Sequence, residues 1–253
     1  MTEKKDELTV VDHLVELRRR LFVTIILFAI VLVGGFFVAK PVYQYLTTHD
    51  TNHIVLQLNA FSFWDGVNVY MKIALIVAFG IMLPFIMYQL WAFVSPGLKP
   101  KERRATLKYI PFVFICFIAG AAFGYYVVFP LAMTFTSSLN KQLGLVETYG
   151  IADYLKFMTN IILPIALLFE LPVVVLFLTH LRLLNPKRLK KMRRVAYFAL
   201  VVLSVMITPP DFFSAFLVLI PMILLYEFSV MLSARIHTKQ VASDAERKAK
   251  YEE

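Results

Sequence analysis

Residues 161–178 read IILPIALLFELPVVVLFL, an apolar run that holds a single carboxylate, Glu170, with a proline on each side. About 20 apolar residues at 1.5 Å rise cover the hydrocarbon core of a bilayer, so this run predicts a membrane-spanning helix. Pro164 and Pro172 have no backbone N–H, which favours a bend close to Glu170. A charge at the centre of a bilayer costs roughly 2.5–3.5 kcal/mol on insertion scales, and such residues tend to mark functional sites. We interpret Glu170 as functional; the alternative is a structural carboxyl that a neighbouring helix satisfies.

Similar apolar runs make up most of the chain. Its 253 residues are 59% hydrophobic, and its mean hydropathy is +0.71, which excludes an ordinary soluble domain. We predict an all-α integral membrane domain over residues 21–232, after a cytoplasmic amphipathic N-terminus (1–20) and before a charged cytoplasmic tail (233–253). The six predicted transmembrane helices are residues 21–39, 69–93, 109–129, 154–178, 195–207 and 212–232.

Basic residues are distributed unevenly along the chain. Of the 26 lysines and arginines, 22 lie in residues 1–20, 93–108, 181–194 and 233–253. By the positive-inside rule, these four segments are cytoplasmic, which predicts six spans with both termini inside. The net charge of +9 therefore sets topology and contacts anionic membrane lipid, and it does not indicate nucleic acid as a partner.

The sequence contains no pattern typical of catalysis or metal binding. The single cysteine, Cys116, lies inside the third apolar run, and the five histidines show no ligand spacing. P-loop, HExxH and GxSxG motifs are absent from the sequence. We predict no cofactor, no metal and no enzymatic activity. No cleavable signal peptide is predicted, because the first twenty residues are charged and the following run is long enough to stay in the membrane.

The N-terminal segment predicts an amphipathic helix that lies on the inner leaflet and continues into the first span. Leu14, Leu17 and Leu21 recur at helical spacing, while charged residues occupy the other face. Glu16 and Arg20 form a favourable i,i+4 pair. This segment by itself leaves open whether it is only a topological anchor or also part of a binding site.

Glu102 is the only acidic residue in the two central basic loops, residues 93–108 and 181–194, which hold twelve lysines and arginines. It could be a weak surface partner of Arg103. Alternatively, it presents a carboxylate to a guanidinium ligand, which binds carboxylates through two parallel hydrogen bonds. The sequence leaves both interpretations open.

The third run contains a GxxxG pattern, Gly120 and Gly124, that predicts close helix packing within the chain rather than between copies. Pro130 is expected to end this helix, with an outer loop over residues 131–153. Residues 88–91, YQLW, are expected in an interfacial aromatic belt.

The fifth run is short for a membrane span. Its thirteen residues, 195–207, give about 20 Å of helix against a hydrocarbon core of about 30 Å. It must thin the bilayer locally or be sheltered by other helices. After the sixth run, residues 233–253 have no apolar period and are expected to be solvated and disordered.

Six motifs occur in a fixed order: HLVELR (13–18), YQLWAFVSPGL (88–98), ER (102–103), FELP (169–172), TPPD (208–211) and YE (226–227). Together they resemble the TatC family, the six-span core subunit of the twin-arginine protein translocase, over about residues 8–235. The resemblance implies a cup-shaped receptor in the bacterial cytoplasmic membrane for signal peptides with paired arginines. It also implies TatA- and TatB-type single-span partners, other copies of itself, and export of folded proteins by the proton-motive force.

The resemblance also implies two groups of site residues. Glu16 and Glu102 match the acidic positions implicated in binding the two arginines, and Glu170 matches the intramembrane acid associated with partner contact. The same cytoplasmic patch includes Arg18, Phe93, Pro96, Leu98 and Arg103, and the partner-contact group includes Asp211 and Glu227 beside Glu170.

Two other functional classes remain as alternatives. A secondary transporter could use Glu170 as a relay, but the two halves of the chain show no repeated pattern and no second charge near mid-depth. A membrane enzyme would need a nucleophile–base set or a metal cluster, and the cytoplasmic loops contain neither.

Overall fold

The computed structural model describes residues 10–48, 58–95, 103, 106–208 and 212–252. Within these ranges the chain is helical apart from short turns and one parallel bridge between Asn59 and Gly150, which confirms the predicted all-α class. The helices are α1 (Val10–Thr48), α2 (Asp65–Val94), α3 (Ile110–Phe123), α4 (Phe129–Gln142), α5 (Ile151–Leu168), α6 (Leu171–His180), α7 (Pro186–Lys191), α8 (Arg193–Ile207) and α9 (Phe212–Glu252), and a π-helical segment, Gly124–Val128, joins α3 to α4.

The described part of the chain has five helical stretches that are long and apolar enough to cross a membrane. The helix α8, which contains the fifth predicted span, has only 15 residues, or about 22 Å. The five stretches are Leu14–Thr47, Asp65–Val94, Ile110–Gln142, Ile151–His180 and Ser214–Ala242.

The helix α5 occupies the centre of the bundle, in contact with α2, α3 and α8. Its Leu155, Ile161 and Ile165 side chains are almost completely buried. Lipid tails are as apolar as these side chains, so close van der Waals packing, rather than removal from water, holds such helices together. By contrast, α1 packs mainly on α2.

The predicted bend at Glu170 is present as a break between α5 and α6. Phe169 and Glu170 lie between the two helices, and the Glu170 N–H donates to the Leu167 carbonyl at 3.1 Å in a tighter turn. Pro172 falls in the first turn of α6, where a missing N–H leaves no helical hydrogen bond unmade. The two prolines thus place the carboxylate at a helix junction.

The two glycines of the GxxxG pattern pack within the chain, as predicted. A Cβ on Gly120 would lie 2.8 Å from the Ala166 Cα atom, and one on Gly124 would lie 3.1 Å from the Ile162 Cα atom. Both contacts are with α5. Glycine at these positions therefore lets the third span approach the central helix closely.

The expected helix end at Pro130 is wrong. The π-helical segment continues directly into α4, which reaches Gln142 and has Pro130 in its first turn. The Phe129 N–H bonds to the Gly124 carbonyl five residues earlier, and this wider turn accommodates a residue without a donor. The connection to α5 is correspondingly shorter than the predicted loop over residues 131–153.

The expected disorder of residues 233–253 is also wrong, because α9 continues as one helix to Glu252. Alanine, lysine, glutamate and arginine dominate the end of this segment and are good helix formers. Two contacts join it to the turn after α6: Arg182 pairs with Asp244 at 2.6 Å, and the Gln240 amide donates to the His180 carbonyl at 3.2 Å.

Candidate functional site

Glu16 lines a cavity of about 300 Å³ between the start of α1 and the end of α2. The predicted pair with Arg20 is present, since the Arg20 Nε and Nη2 atoms both donate to the Glu16 Oε1 atom. The third donor of Arg20, Nη1, reaches the Gln89 Oε1 atom at 3.2 Å. The cavity is lined by Glu16, Arg19, Arg20, Val23 and Gln89.

This arrangement shows what the cavity can bind. The Glu16 carboxylate already holds a guanidinium, the group with several N–H donors in a fixed fork. Both side chains are about one-quarter exposed, and pairs of this kind contribute only about 0–1 kcal/mol. The Glu16–Arg20 pair therefore contributes little to the stability of the fold.

Trp91 connects the end of α2 to the start of the third span. Its Nε1 atom donates to the Thr106 Oγ1 atom at 2.9 Å, and the Arg103 guanidinium lies 5.6 Å from the indole centroid, within cation–π range. The Trp91 side chain is only 8% exposed, so it packs inside the chain at the end of α2. Its place in an interfacial aromatic belt stays a prediction. The bonds of Trp91 hold Arg103 against the end of α2.

The structure describes only part of the sequence-predicted patch. Arg18 and Arg103 are exposed, and Phe93 is half-buried near the end of α2. Pro96, Leu98 and Glu102, and also Asp211 of the partner-contact group, lie outside the described residues. Of the predicted patch, the structure shows Glu16 in contact with Arg20, which in turn contacts Gln89.

Sequence reasoning missed the roles of Gln89, Trp91 and Thr106. Of these three, only the polar contact of Gln89 could have been predicted from the sequence, because a side-chain amide near the end of an apolar run needs a hydrogen-bonding partner. The partners of Trp91 come from residues 12 and 15 positions further along the chain. The spacing of the YQLWAFVSPGL motif does not predict those contacts.

Glu170 is the most unusual polar group of the membrane region. Its residue is 7% exposed, and neither carboxyl oxygen has a hydrogen-bond partner among the described residues. The carboxyl is close enough to Cys116 on α3 to interact with it electrostatically. The Phe117 backbone on α3 approaches the carboxyl without forming a hydrogen bond of good geometry with either oxygen. The alternative of a structural carboxyl therefore rests on this one weak contact. An unsatisfied buried polar group costs about 1–3 kcal/mol, and more when it is charged.

Glu227, in contrast, has partners inside the chain. The Arg193 Nη2 atom lies 2.7 Å from its Oε2 atom, and the Tyr197 hydroxyl donates to its Oε1 atom. Both partners are on α8, so this carboxylate connects α8 to α9.

The chain is similar to known protein-translocase subunits over nearly its whole length. The family model described as Sec-independent protein translocase protein (TatC) matches residues 12–221. The chain is 43% identical to Sec-independent protein translocase protein TatCd of Bacillus subtilis, with 95% of this chain and 97% of that protein covered. It is 42% identical to the TatC protein of Halalkalibacterium halodurans, with 97% and 96% covered.

Solved structures agree with these matches. A crystal structure of the twin-arginine translocase receptor TatC in DDM has a TM-score of 0.75 and 32% identity to this chain, with 87% of this chain and 99% of that chain covered. These matches assign the chain to protein translocation rather than to solute transport or membrane enzymes. The chain is a multi-pass protein of the bacterial cytoplasmic membrane. The chain belongs to the TatC family of Sec-independent protein translocase proteins.

Proposed function

We propose that this chain is the core subunit of a twin-arginine translocase and binds signal peptides with paired arginines at the cytoplasmic face. In this proposal it has six spans with both termini inside and a cup-shaped bundle. Together with TatA- or TatB-type single-span subunits and further copies of itself, it exports folded proteins by the proton-motive force. The observation that carries the proposal is the Glu16 cavity, where a carboxylate already holds a guanidinium.

Exchange of arginines is the proposed binding step. The first arginine of a signal peptide takes the place of Arg20 on Glu16, and the released Arg20 keeps its contact with Gln89. The peptide approaches a face rich in lysine and arginine, so long-range attraction cannot provide the affinity. Binding must come from a few well-placed carboxylates, and arginine is favoured over lysine because only guanidinium forms the two-bond fork.

Glu102 is the proposed acceptor for the second arginine. It is adjacent in the sequence to Arg103, whose guanidinium lies over the Trp91 ring near the end of α2. Arg18 and Phe93 lie on the two helices that flank the cavity, and with Pro96 and Leu98 they complete the proposed peptide-binding patch.

Glu170 is the proposed contact with a partner helix. A buried carboxyl without a donor gains about 1–3 kcal/mol when a donor from another molecule reaches it. The short α8 and the start of α9 form the proposed docking side for such helices. Asp211 falls between these helices in the sequence, and Glu227 holds the helices together through Arg193 and Tyr197.

The test is peptide binding in nanodiscs that contain the full chain. A signal peptide with an arginine pair is titrated against its lysine-pair version, for the wild type and for Glu16→Gln and Glu102→Gln. We expect the wild type to prefer arginine, and each variant to lose about 10-fold or more in affinity for the arginine peptide, because a charge-assisted hydrogen bond contributes about 1.5–3 kcal/mol. Asp153→Asn, in the first turn of α5, removes the same charge away from the cavity and is the control. Equal affinity of both peptides, unchanged in both variants, would refute the proposed recognition.

A further inference from the structure

A groove of about 960 Å³ runs along α9 and is bounded at one end by α7 and the start of α8. Its apolar wall includes Leu224, Phe228 and Met231, which are 64%, 48% and 46% exposed. Their spacing of four and three residues places them on one face of α9. The chain thus presents an open apolar groove parallel to α9.

The end of the groove at α7 and the start of α8 is positively charged. Lys190 from α7, Arg193 from α8 and Arg235 from α9 all line it, and Glu227 is its only acidic lining residue. Glu227 is already paired with Arg193. Lys190 and Arg235 have no carboxylate partner among the described residues, so two cations remain for an anion.

The dimensions match one leaflet of a bilayer. Arg235 lies eleven positions after Leu224, which is about 16 Å along a helix at 1.5 Å per residue. Half of a hydrocarbon core of about 30 Å is about 15 Å. When Leu224 lies near the middle of the membrane, Arg235 therefore lies at the depth of the lipid headgroups. By the distribution of basic residues, this leaflet is the cytoplasmic one.

We propose that this groove is a binding site for an anionic phospholipid. The phosphodiester lies at the Lys190–Arg235 end, and one acyl chain follows Leu224, Phe228 and Met231. A zwitterionic lipid brings its own cation to the same place and loses most of the attraction. An apolar partner helix would fill the channel but would leave both cations without an anion. The proposal depends on the membrane location of the chain and not on the proposed recognition of signal peptides.

The experiment measures lipid retention by the intact purified chain with native mass spectrometry. Detergent-solubilised protein is titrated with phosphatidylglycerol or with phosphatidylcholine of the same acyl composition. We expect the wild type to retain phosphatidylglycerol preferentially, and Lys190→Gln with Arg235→Gln to weaken this binding roughly 30-fold. This magnitude follows from about 5-fold for each basic residue near an anionic lipid surface. Lys187→Gln with Arg188→Gln removes the same charge from α7 outside the groove and should change binding less than 2-fold.

A second variant tests the apolar half of the site. Leu224→Trp fills the channel without changing charge, at an exposed position where the larger side chain does not disturb packing, and it should also weaken retention of phosphatidylglycerol. If the double variant does not fold, Arg235→Gln alone should show the loss of about 5-fold. Equal retention of the two lipids by the wild type, or equal losses in the two double variants, would overturn the proposal. It would also be overturned if Leu224→Trp left lipid retention unchanged while reducing co-purification of a single-span partner.

Discussion

Replacement of Glu170 by leucine should make the protein more stable. The carboxyl is buried and has no hydrogen-bond partner among the described residues, so the wild-type protein carries the cost of an unsatisfied polar group, about 1–3 kcal/mol. Leucine removes that cost and keeps a side chain of similar volume next to α3. For a chain of about 250 residues, this gain corresponds to a rise in Tm of roughly 3–10 °C.

Glu227→Leu is the matched control, because it removes a membrane-region carboxylate that has partners. The variant loses the Arg193 pair and the Tyr197 hydrogen bond. Both groups of the ion pair are one-third or more exposed, so we expect a loss of only about 1–2 kcal/mol, or roughly 3–6 °C in Tm.

The assay is thermal unfolding of both variants and the wild type in the same detergent, followed by the fluorescence of the two tryptophans. The expected result is a Tm shift of opposite sign in the two variants. A fall in Tm for Glu170→Leu as large as that for Glu227→Leu would refute the reasoning, since it would mean that Glu170 has a satisfying partner in the folded chain. If Glu170 also meets a partner helix, as proposed, the stabilised variant should fail to export a twin-arginine cargo.

Three further predictions concern single positions. Trp91→Ala should lower the free energy of unfolding by about 3–5 kcal/mol, because it removes a large buried side chain. Trp91→Phe should lower it by only about 1 kcal/mol, because only the indole hydrogen bonds are lost. Thermal unfolding measures both, and equal losses would contradict the role assigned to the indole N–H. Gly120→Leu should destabilise the fold by about 1–3 kcal/mol or more through overpacking against α5. Gly34→Ala should raise Tm slightly through helix propensity, because a Cβ at this position has no neighbour within 4 Å. A neutral Gly120→Leu would disprove the close contact. Arg20→Gln should tighten binding of an arginine-pair peptide about 2–5-fold, because the competing pair contributes up to about 1 kcal/mol. Arg188→Gln, on α7 and outside the cavity, should not change binding; peptide titration in nanodiscs measures both, and weaker binding with Arg20→Gln would refute the exchange.

Local patterns predicted the helices of this protein well where a single physical constraint acts. Long apolar runs have few alternatives in a membrane, because the backbone must satisfy its own hydrogen bonds there. The break at Glu170 follows from the prolines beside it, and the Glu16–Arg20 pair follows from helical spacing alone. The errors occurred at Pro130 and in residues 233–253, where a π-helical turn and contacts from the α6 end change what local propensity predicts.

The sequence by itself determined the membrane class, the positions of the apolar helices, the resemblance to the TatC family and the candidate carboxylates, because each depends on composition or on residues close together in the chain. Only the tertiary structure decided how those carboxylates are satisfied. Glu16 shares a cavity with Gln89, 73 positions away, Glu227 bonds to α8, and Glu170 has no partner among the described residues. The energy of a buried carboxylate depends on the donors within about 3 Å of its oxygens, and helix packing brings those donors from distant parts of the sequence.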